Sequence, residues 1–147
     1  MPNQIVVAGA LIVGPNLLVA QRDRPPKLAG LWELPGGKAM PGEGDAAALA
    51  RELDEELGVQ VGVGAQLGAD VALDGSTILR AYLVTQTGGS VSARDHRALR
   101  WVRAEELDAL DWVPADRAWL ADLRAAMAPR DVVDRVSRGG SRRPEAP

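Results

Sequence analysis

The chain has 147 residues, a formal net charge of -3 and a sequence pI near 5.2. This length favours one domain, and the mildly acidic balance argues against a duplex nucleic-acid binder, whose phosphate contacts need a basic face. The hydrophobic and charged fractions, 46% and 25%, exclude a fully disordered chain, a fibre and a bilayer-spanning protein. Phe and Cys are absent, so we expect an aliphatic core without disulfides, in keeping with a cytoplasmic protein. The N-terminal sequence predicts neither a signal peptide nor a membrane anchor.

The first part of the chain predicts a β-hairpin followed by two loops. Residues 5–13 are apolar and β-branched, and a Gly-Pro-Asn turn separates them from a second apolar run at 17–20. A Pro pair and Gly30 then indicate a loop that leads into the sequence WELPGGK, and the sequence AMPGEG indicates a second loop.

The clearest predicted helix follows at residues 46–57. It is composed of helix-forming residues, with Asp45 as its expected N-cap and Gly58 as its C-terminal stop. Ala46, Ala50, Leu53 and Leu57 are expected to form the stripe that packs into the core.

The second half of the chain predicts strands and then helices. We expect several strands within 59–73 and 76–87 and another at 98–102, because these runs are apolar or alternating. Residues 103–110 and 114–128 are expected to be helical. Beyond Pro129 the chain is rich in Arg, Gly, Ser and Pro, which predicts a domain at 1–129 and a mobile tail at 130–147, with a short helix near 131–137.

Three glutamates on the predicted central helix form an acidic face. A rotation of about 100° per residue places Glu52, Glu55 and Glu56 within one arc, and only Arg51 offers an obvious local counter-charge. A solvated acidic face is the simpler alternative, because Glu is a good helix former. The shortage of cations favours a site for a divalent cation, Mg²⁺ or Mn²⁺, for which oxygen ligands are suited.

A glycine pair precedes this helix. Gly36 and Gly37 would let the backbone approach a ligand or metal closely, and Lys38 and Arg22 could pair with phosphate oxygens. Alone, such a pair is usually just a turn; its fixed distance from the acidic helix gives it weight.

The segment 37–59 fits the pattern G-x5-E-x7-R-E-U-x-E-E-x-G-U, where U is apolar. It resembles the Nudix box without departure, and the sequences AQR, WELPGGK and WVPAD resemble the MutT-like branch of that family. The resemblance covers about residues 4–128. The matching positions are Gly37, Glu43, Arg51, Glu52, Leu53, Glu55, Glu56, Gly58 and Val59.

The resemblance implies an α+β Nudix fold, in which a mixed β-sheet is sandwiched between α-helices. It also implies Mg²⁺-dependent hydrolysis of a nucleoside triphosphate to the monophosphate and pyrophosphate, by attack of water at the β-phosphorus, in a nucleotide-pool sanitising role. An ion pair between Arg51 and Glu43 would brace the loop against the helix. The implied metal ligands are Glu52, Glu55, Glu56 and the carbonyl of Gly36.

The resemblance leaves the general base open. Glu52 is the first choice, because its counterpart in the family can contact both metal and water. Asp95 stands where relatives often carry a longer Glu, so a water-bridged role is open to it, as is the role of a solvated turn residue beside Arg94 and Arg97. His96 is expected to support the site rather than to catalyse.

Asp116 is the residue that the resemblance places in the base pocket. An ionised Asp only accepts hydrogen bonds, which suits the N4 amino group of cytosine and not O6 of guanine. We therefore expect CTP, dCTP and their 5-methyl forms as substrates, with 8-oxo-dGTP as the alternative. Asp116 could equally serve only to complement the helix dipole. Arg22 is expected near the sugar or α-phosphate.

Two other hypotheses remain. A Nudix-fold binding module without catalysis would be expected to have lost Glu52, Glu55 or Glu56, and all three are present. An mRNA-cap hydrolase with an RNA-contacting tail is disfavoured by the short chain. The sequence does not decide between a monomer and a dimer. The four Trp residues are expected in the core, with Trp32, beside the glycine pair, as the exception.

Overall fold

The computed structural model describes residues 4–129 as a mixed β-sheet with helices against both faces. The tail expected at 130–147, with its short helix, lies outside the described residues. The strands are β1 (Gln4–Val13), β2 (Asn16–Gln21), β3 (Trp32–Glu33), β4 (Gly36–Lys38), β5 (Val59–Ala72), β6 (Thr77–Gly89) and β7 (Ala98–Arg103). The α-helices are α1 (Asp45–Leu57) and α2 (Leu120–Met127), and 3₁₀-helices span Ala104–Ala109 and Pro114–Trp119.

Strand β1 lies at the centre of the sheet. It runs parallel to β6 and antiparallel to β4, and its last two residues pair with β2 in the hairpin that the sequence predicts. Strand β5 extends the sheet beyond β6, and β7 pairs with β2 along its whole length. The parallel pairing of β1 with β6 makes the sheet mixed, as the resemblance implied.

The core consists of two apolar clusters, one on each face of the sheet. Because successive side chains of a strand point to opposite faces, β1 supplies both clusters. Val7 and Leu11 face α1, whereas Ala8 and Ala10 face α2 and the 3₁₀-helices. The clusters fix α1 on one side of β1 and the 114–127 region on the other, and α1 contacts both β1 and β4.

Helix α1 ends at Gly58 as predicted, but its N-cap is Gly44 rather than Asp45. The Asp45 carboxylate instead accepts hydrogen bonds from the Tyr82 hydroxyl at 2.6 Å and from Arg80 Nη1 at 2.9 Å. This side chain therefore ties the helix to β6. The predicted apolar stripe is also partly wrong, because Ala46 is exposed and the buried residues are Ala48, Leu49, Leu53 and Leu57.

The two predicted C-terminal helices are largely 3₁₀ rather than α. The first is entirely 3₁₀, and the second begins as 3₁₀ at Pro114 and becomes α only at Leu120. A 3₁₀-helix has three residues per turn, so residues i and i+3 lie above one another. Asp116 and Trp119 are three residues apart and are both buried on the inner side of this helix. Within residues 4–129, no helix has the length and apolar character needed to span a bilayer.

Strand β4 packs so closely on β1 that Gly36 has no room for a side chain. A Cβ atom there would lie 1.9 Å from the carbonyl oxygen of Val7 and 2.7 Å from the Cα of Ala8. Both neighbours are backbone atoms, which cannot rotate away. The glycine is therefore required by the sheet itself.

We expect Gly36→Ala to lower the free energy of unfolding by about 3 kcal/mol or more, because β4 must move away from β1 to admit the methyl group. Urea unfolding measures the change. Gly75→Ala is the matched control, since no atom of residues 4–129 lies within 4 Å of the position that its Cβ would take. A Gly36→Ala protein as stable as the Gly75→Ala protein would contradict the close packing.

Candidate active site

The Arg51 guanidinium joins the loop after β4 to helix α1. Its Nε and Nη2 atoms each donate to one carboxylate oxygen of Glu43 at 2.9 Å, and Nη2 also donates to the carbonyl of Lys38 at 3.0 Å. Hydrogen bonds from Arg51 and from the Met40 backbone hold the pKa of Glu43 down to about 2. The ion pair that the resemblance implied is thus present, in bidentate form.

The remaining donor of Arg51 faces the acidic cluster. Nη1 lies 3.2 Å from Glu52 Oε2 and 3.3 Å from Glu55 Oε1. A Cβ on Gly37 would lie 2.3 Å from the Glu52 carboxyl carbon, so this carboxylate packs directly against the glycine backbone. Glu52 is held from two sides, whereas the Glu55 side chain is 61% exposed.

Glu56 is the buried member of the cluster. Its Oε1 atom is buried and has no hydrogen-bond partner within residues 4–129. Burial, and after it the neighbouring Glu52 carboxylate, raises the pKa of Glu56 to about 9, and the charges of Glu33 and Asp95 act in the same direction. A buried carboxylate oxygen without a donor, next to further carboxylates, has the chemistry of a divalent-cation ligand.

The carboxylates of this cluster are chemically suited to bind a cation, although they do not surround one point as a complete set of ligands would. In the described part of the chain, no three acidic or histidine side chains are arranged around a common point. Arg51 occupies one oxygen each of Glu52 and Glu55, which leaves the partnerless oxygen of Glu56 as the strongest indication of a cation.

A cavity of about 380 Å³ opens beside this cluster, between β4 and the 3₁₀-helix at 114–119. Its lining has three basic side chains against five acidic ones. Because the raised pKa values leave Glu56 protonated and Asp116 partly protonated near neutral pH, the charges of this lining nearly balance, and a polyphosphate would meet little net attraction unless cations accompanied it. The basic residues are Arg22, Arg24 and Lys38, and the acidic ones are Asp23, Glu33, Glu56, Asp95 and Asp116.

Glu33 connects the two sides of the cavity, and sequence reasoning missed it. One of its oxygens accepts a hydrogen bond from Arg22 Nη1 at 3.0 Å, and the other lies 3.0 Å from His96 Nε2. The same nitrogen of His96 lies 3.9 Å from Glu56 Oε1. The available signal was the position of Glu33 within WELPGGK. His96 thus lies beside the acidic cluster, where a supporting role was expected.

Asp95 lines the same cavity but is half exposed. Its partner is Arg24, whose Nη2 lies 2.9 Å from Asp95 Oδ1. The two arginines nearby in the sequence do not pair with Asp95. Arg94 donates to the carbonyl of Asp54, and Arg97 donates to Asp23. The contact with Arg24 links two loops that are far apart in sequence.

Asp116 also lines the cavity and is only 4% exposed. Its Oδ2 accepts a hydrogen bond from the Leu34 backbone N–H at 2.8 Å. Burial raises its pKa to about 7, and the charge of Glu33 contributes, against the opposing effects of the Leu34 N–H and Arg22. Near neutral pH, both the protonated and the ionised form of this carboxyl group are therefore populated. The expectation that Asp116 is simply ionised was incomplete.

One of the four tryptophans, Trp101, does not lie where the sequence predicts. Trp112 and Trp119 are core residues, and Trp32 in β3 is half-buried. Trp101 on β7 is 40% exposed, so its placement in the core was wrong.

The NUDIX domain family model matches residues 3–123. The chain belongs to the Nudix family. It is similar to "Putative 8-oxo-dGTP diphosphatase 2" of Mycobacterium tuberculosis (strain ATCC 25618 / H37Rv), with 64% identity over 126 residues, 84% of this chain and 89% of the relative. It is 38% identical to the "CTP pyrophosphohydrolase" of Escherichia coli (strain K12) over 127 residues, 85% of this chain and 94% of the relative.

The fold comparison agrees with this assignment. The solution structure of the E. coli ORF135 protein has a TM-score of 0.74 and 34% sequence identity, covering 87% of this chain and 93% of that one. The crystal structure of MutT NUDIX hydrolase from Burkholderia pseudomallei has a TM-score of 0.67 at 30% identity, covering 83% and 98%. The protein is a Nudix hydrolase with the α+β architecture that its sequence resemblance implied.

The raised pKa of Asp116 should make the stability of the protein depend on pH. Because its pKa is raised in the folded protein, folding favours the protonated form, so this group costs stability as pH rises from about 4 to 7 and no further above that. We therefore expect Asp116→Asn to become more stable relative to the native protein as pH increases over this range. Thermal unfolding at pH 4, 5, 6, 7 and 8 measures the difference.

Asp45→Asn is the control for this series. The pKa of Asp45 is lowered, chiefly because the hydrogen bonds from Tyr82 and Arg80 outweigh the opposing effect of burial. This group is then ionised in both folded and unfolded protein above about pH 5, and the difference between Asp45→Asn and native protein should stay constant from pH 5 to 8. A constant difference for Asp116→Asn as well would contradict the raised pKa.

Proposed function

We propose that this Nudix hydrolase cleaves nucleoside triphosphates to the monophosphate and pyrophosphate, with water attacking the β-phosphorus and Mg²⁺ or Mn²⁺ in the site. The observation that carries this proposal is the buried, partnerless Oε1 of Glu56 beside Glu52, in a cavity whose acidic side chains outnumber its basic ones. Such a surface offers a triphosphate little net attraction unless cations accompany it. Nudix hydrolases generally use divalent metal ions, which agrees with this chemistry.

The residues that would hold the cation are Glu52, Glu55, Glu56 and the carbonyl of Gly36. When bound, the cation neutralises phosphate oxygens and lowers the pKa of the attacking water. Gly37 and Gly58 support this arrangement, since Gly37 lets the Glu52 carboxylate pack on the backbone and Gly58 closes α1 in the left-handed conformation at φ 75°.

Glu52 is the proposed acceptor of the proton from water. Its carboxylate is held in place by the Gly37 backbone on one side and by Arg51 Nη1 on the other, which gives it a fixed position next to Gly37, a residue that lines the cavity. Asp95 is the alternative. Its side chain is 53% exposed against 15% for Glu52, so its carboxylate is less firmly positioned.

Arg22 and Lys38 are the proposed phosphate or sugar contacts. Both line the cavity, and the Glu33 carboxylate orients the Arg22 guanidinium. Asp116, which also lines the cavity, is the residue that we propose to recognise the nucleotide base. In its ionised form it accepts a hydrogen bond from the N4 amino group of cytosine, so we propose CTP, dCTP and their 5-methyl forms as the preferred substrates. The relative named "CTP pyrophosphohydrolase" supports this choice.

The second candidate is 8-oxo-dGTP. A specific observation favours it, because the raised pKa of Asp116 leaves a large share of neutral carboxyl groups, which can donate to guanine O6 as well as accept. The relative with 64% identity is named for this activity. Either substrate agrees with a nucleotide-pool sanitising role in the cytoplasm.

A substrate panel tests the proposal. We expect pyrophosphate release from CTP, dCTP and 8-oxo-dGTP to require Mg²⁺, with the cytosine nucleotides ahead by roughly tenfold at pH 8, where Asp116 is ionised. Lowering the pH to 6 should narrow this ratio, and Asp116→Asn should remove its dependence on pH. Initial rates at equal concentrations, with product analysis, measure both.

Glu105→Gln is the control variant, because Glu105 is exposed and outside the cavity. It should match the native rates. A preference for 8-oxo-dGTP at both pH values would overturn the cytosine assignment. Absence of Mg²⁺-dependent pyrophosphate release from the native protein would overturn the enzymatic proposal itself and favour a binding module.

A further inference from the structure

Two ion pairs join two loops at the mouth of the cavity. Arg24 Nη2 lies 2.9 Å from Asp95 Oδ1, and Arg97 Nε lies 3.4 Å from Asp23 Oδ1. The side chains are 67% and 53% exposed in the first pair, and 48% and 56% in the second. Ion pairs with this exposure contribute little to stability, because water and salt screen them.

The two pairs differ in what else they touch. Both members of the Arg24–Asp95 pair line the cavity that also contains Glu56 and Lys38, whereas Arg97 is outside that lining. The Arg97 guanidinium instead lies near Gly30, where an added Cβ would meet its Nη1 atom at 3.5 Å. A ligand in the cavity can therefore reach the guanidinium of the first pair, Arg24, but not that of the second pair, Arg97.

The backbone at Arg24 is fixed independently of its side chain. Arg22 Nε donates to the Arg24 carbonyl at 2.9 Å, while Nη1 of the same guanidinium is bound to Glu33. Arg22 thus has a half-buried carboxylate and a backbone oxygen as partners, which leaves fewer of its donors for a phosphate. Arg24 has an exposed carboxylate that it can leave at small cost. A phosphate group offers a guanidinium stronger, bidentate hydrogen bonds than that exposed carboxylate does.

We propose that Arg24 is a polyphosphate-binding residue, and that its ion pair with Asp95 is a resting contact which the phosphate chain of the substrate replaces. This inference rests on the proposed function, because it assumes a polyphosphate in the cavity. When the pair breaks, the positive charge of Arg24 moves from Asp95 to the phosphate groups. It also leaves Asp95 without its partner beside the acidic cluster at the time that substrate is present.

The test is the binding of α,β-methylene-CTP in the presence of Mg²⁺, measured by calorimetry. This analogue cannot be cleaved between the α- and β-phosphates, so the readout is affinity rather than turnover. We expect Arg24→Gln to weaken its binding about tenfold while binding of CMP changes less than about twofold, because the lost contact is to the phosphate chain. Arg24→Lys should recover part of the affinity, since the charge remains.

Arg97→Gln is the matched control, because it breaks the neighbouring pair between the same loops. It should change the affinity for the analogue by less than about twofold. In steady-state kinetics with CTP, Arg24→Gln should raise KM more than it lowers kcat. Thermal unfolding of each variant confirms that it is folded.

Two results overturn the inference, and they are distinguishable. If Arg24→Gln and Arg97→Gln weaken binding equally, or if CMP and the analogue are affected alike, the pair only ties the loops and Arg24 does not contact phosphates, while the proposed function stands. If the native protein neither binds the analogue nor hydrolyses CTP or 8-oxo-dGTP, the proposed function fails and this inference fails with it.

Discussion

The guanidinium of Arg51 is the contact around which the site is organised. It binds both oxygens of Glu43, the carbonyl of Lys38 and one oxygen each of Glu52 and Glu55. One side chain thereby fixes the loop after β4, the helix α1 and two of the three clustered glutamates relative to one another. The guanidinium has five N–H donors in a planar fork, so it binds Glu43 through two nitrogens and still reaches two further carboxylates, whereas the donors of a Lys all lie on one nitrogen.

The glycine pair sets how closely these parts approach. Gly36 lets β4 pack onto β1, and Gly37 lets the Glu52 carboxylate rest on the backbone of β4. The acidic helix is consequently held against the central strand of the sheet, over an apolar cluster that contains Leu49 and Leu53. The position of the carboxylates is thus determined by the core of the protein rather than by a mobile loop.

Local sequence signals predicted the elements whose determinants are local. The hairpin at its Gly-Pro-Asn turn and the extent of α1 up to Gly58 depend on residues close together in the chain, whereas the pairing of Arg51 with Glu43 was implied by the resemblance to the Nudix family. Asp45 shows why such reasoning fails elsewhere. Its tendency to cap a helix competes with Tyr82 and Arg80, which arrive from β6, and no local pattern reveals that competition.

Contacts between distant segments account for the other differences. Asp116 and Trp119 are buried together because the core packs against this side of their 3₁₀-helix, and the raised pKa of Asp116 follows from that burial. Glu33 and Arg24 became candidates only when the fold placed them beside His96 and Asp95, respectively. The sequence therefore predicted the cluster of glutamates and glycines, but not the ion pairs around the rim of the cavity.

The central claim is that Oε1 of Glu56, which has no hydrogen-bond partner among residues 4–129, is a ligand of a divalent cation. Binding of Mn²⁺ to the native protein, to Glu56→Gln and to Glu105→Gln, followed by electron paramagnetic resonance of the free ion, tests this directly. The account predicts that Glu56→Gln weakens Mn²⁺ binding at least about tenfold, because a charged ligand is replaced by a neutral amide, while Glu105→Gln binds like the native protein. Equal Mn²⁺ affinity in the native and Glu56→Gln proteins, or no binding by either, would contradict it.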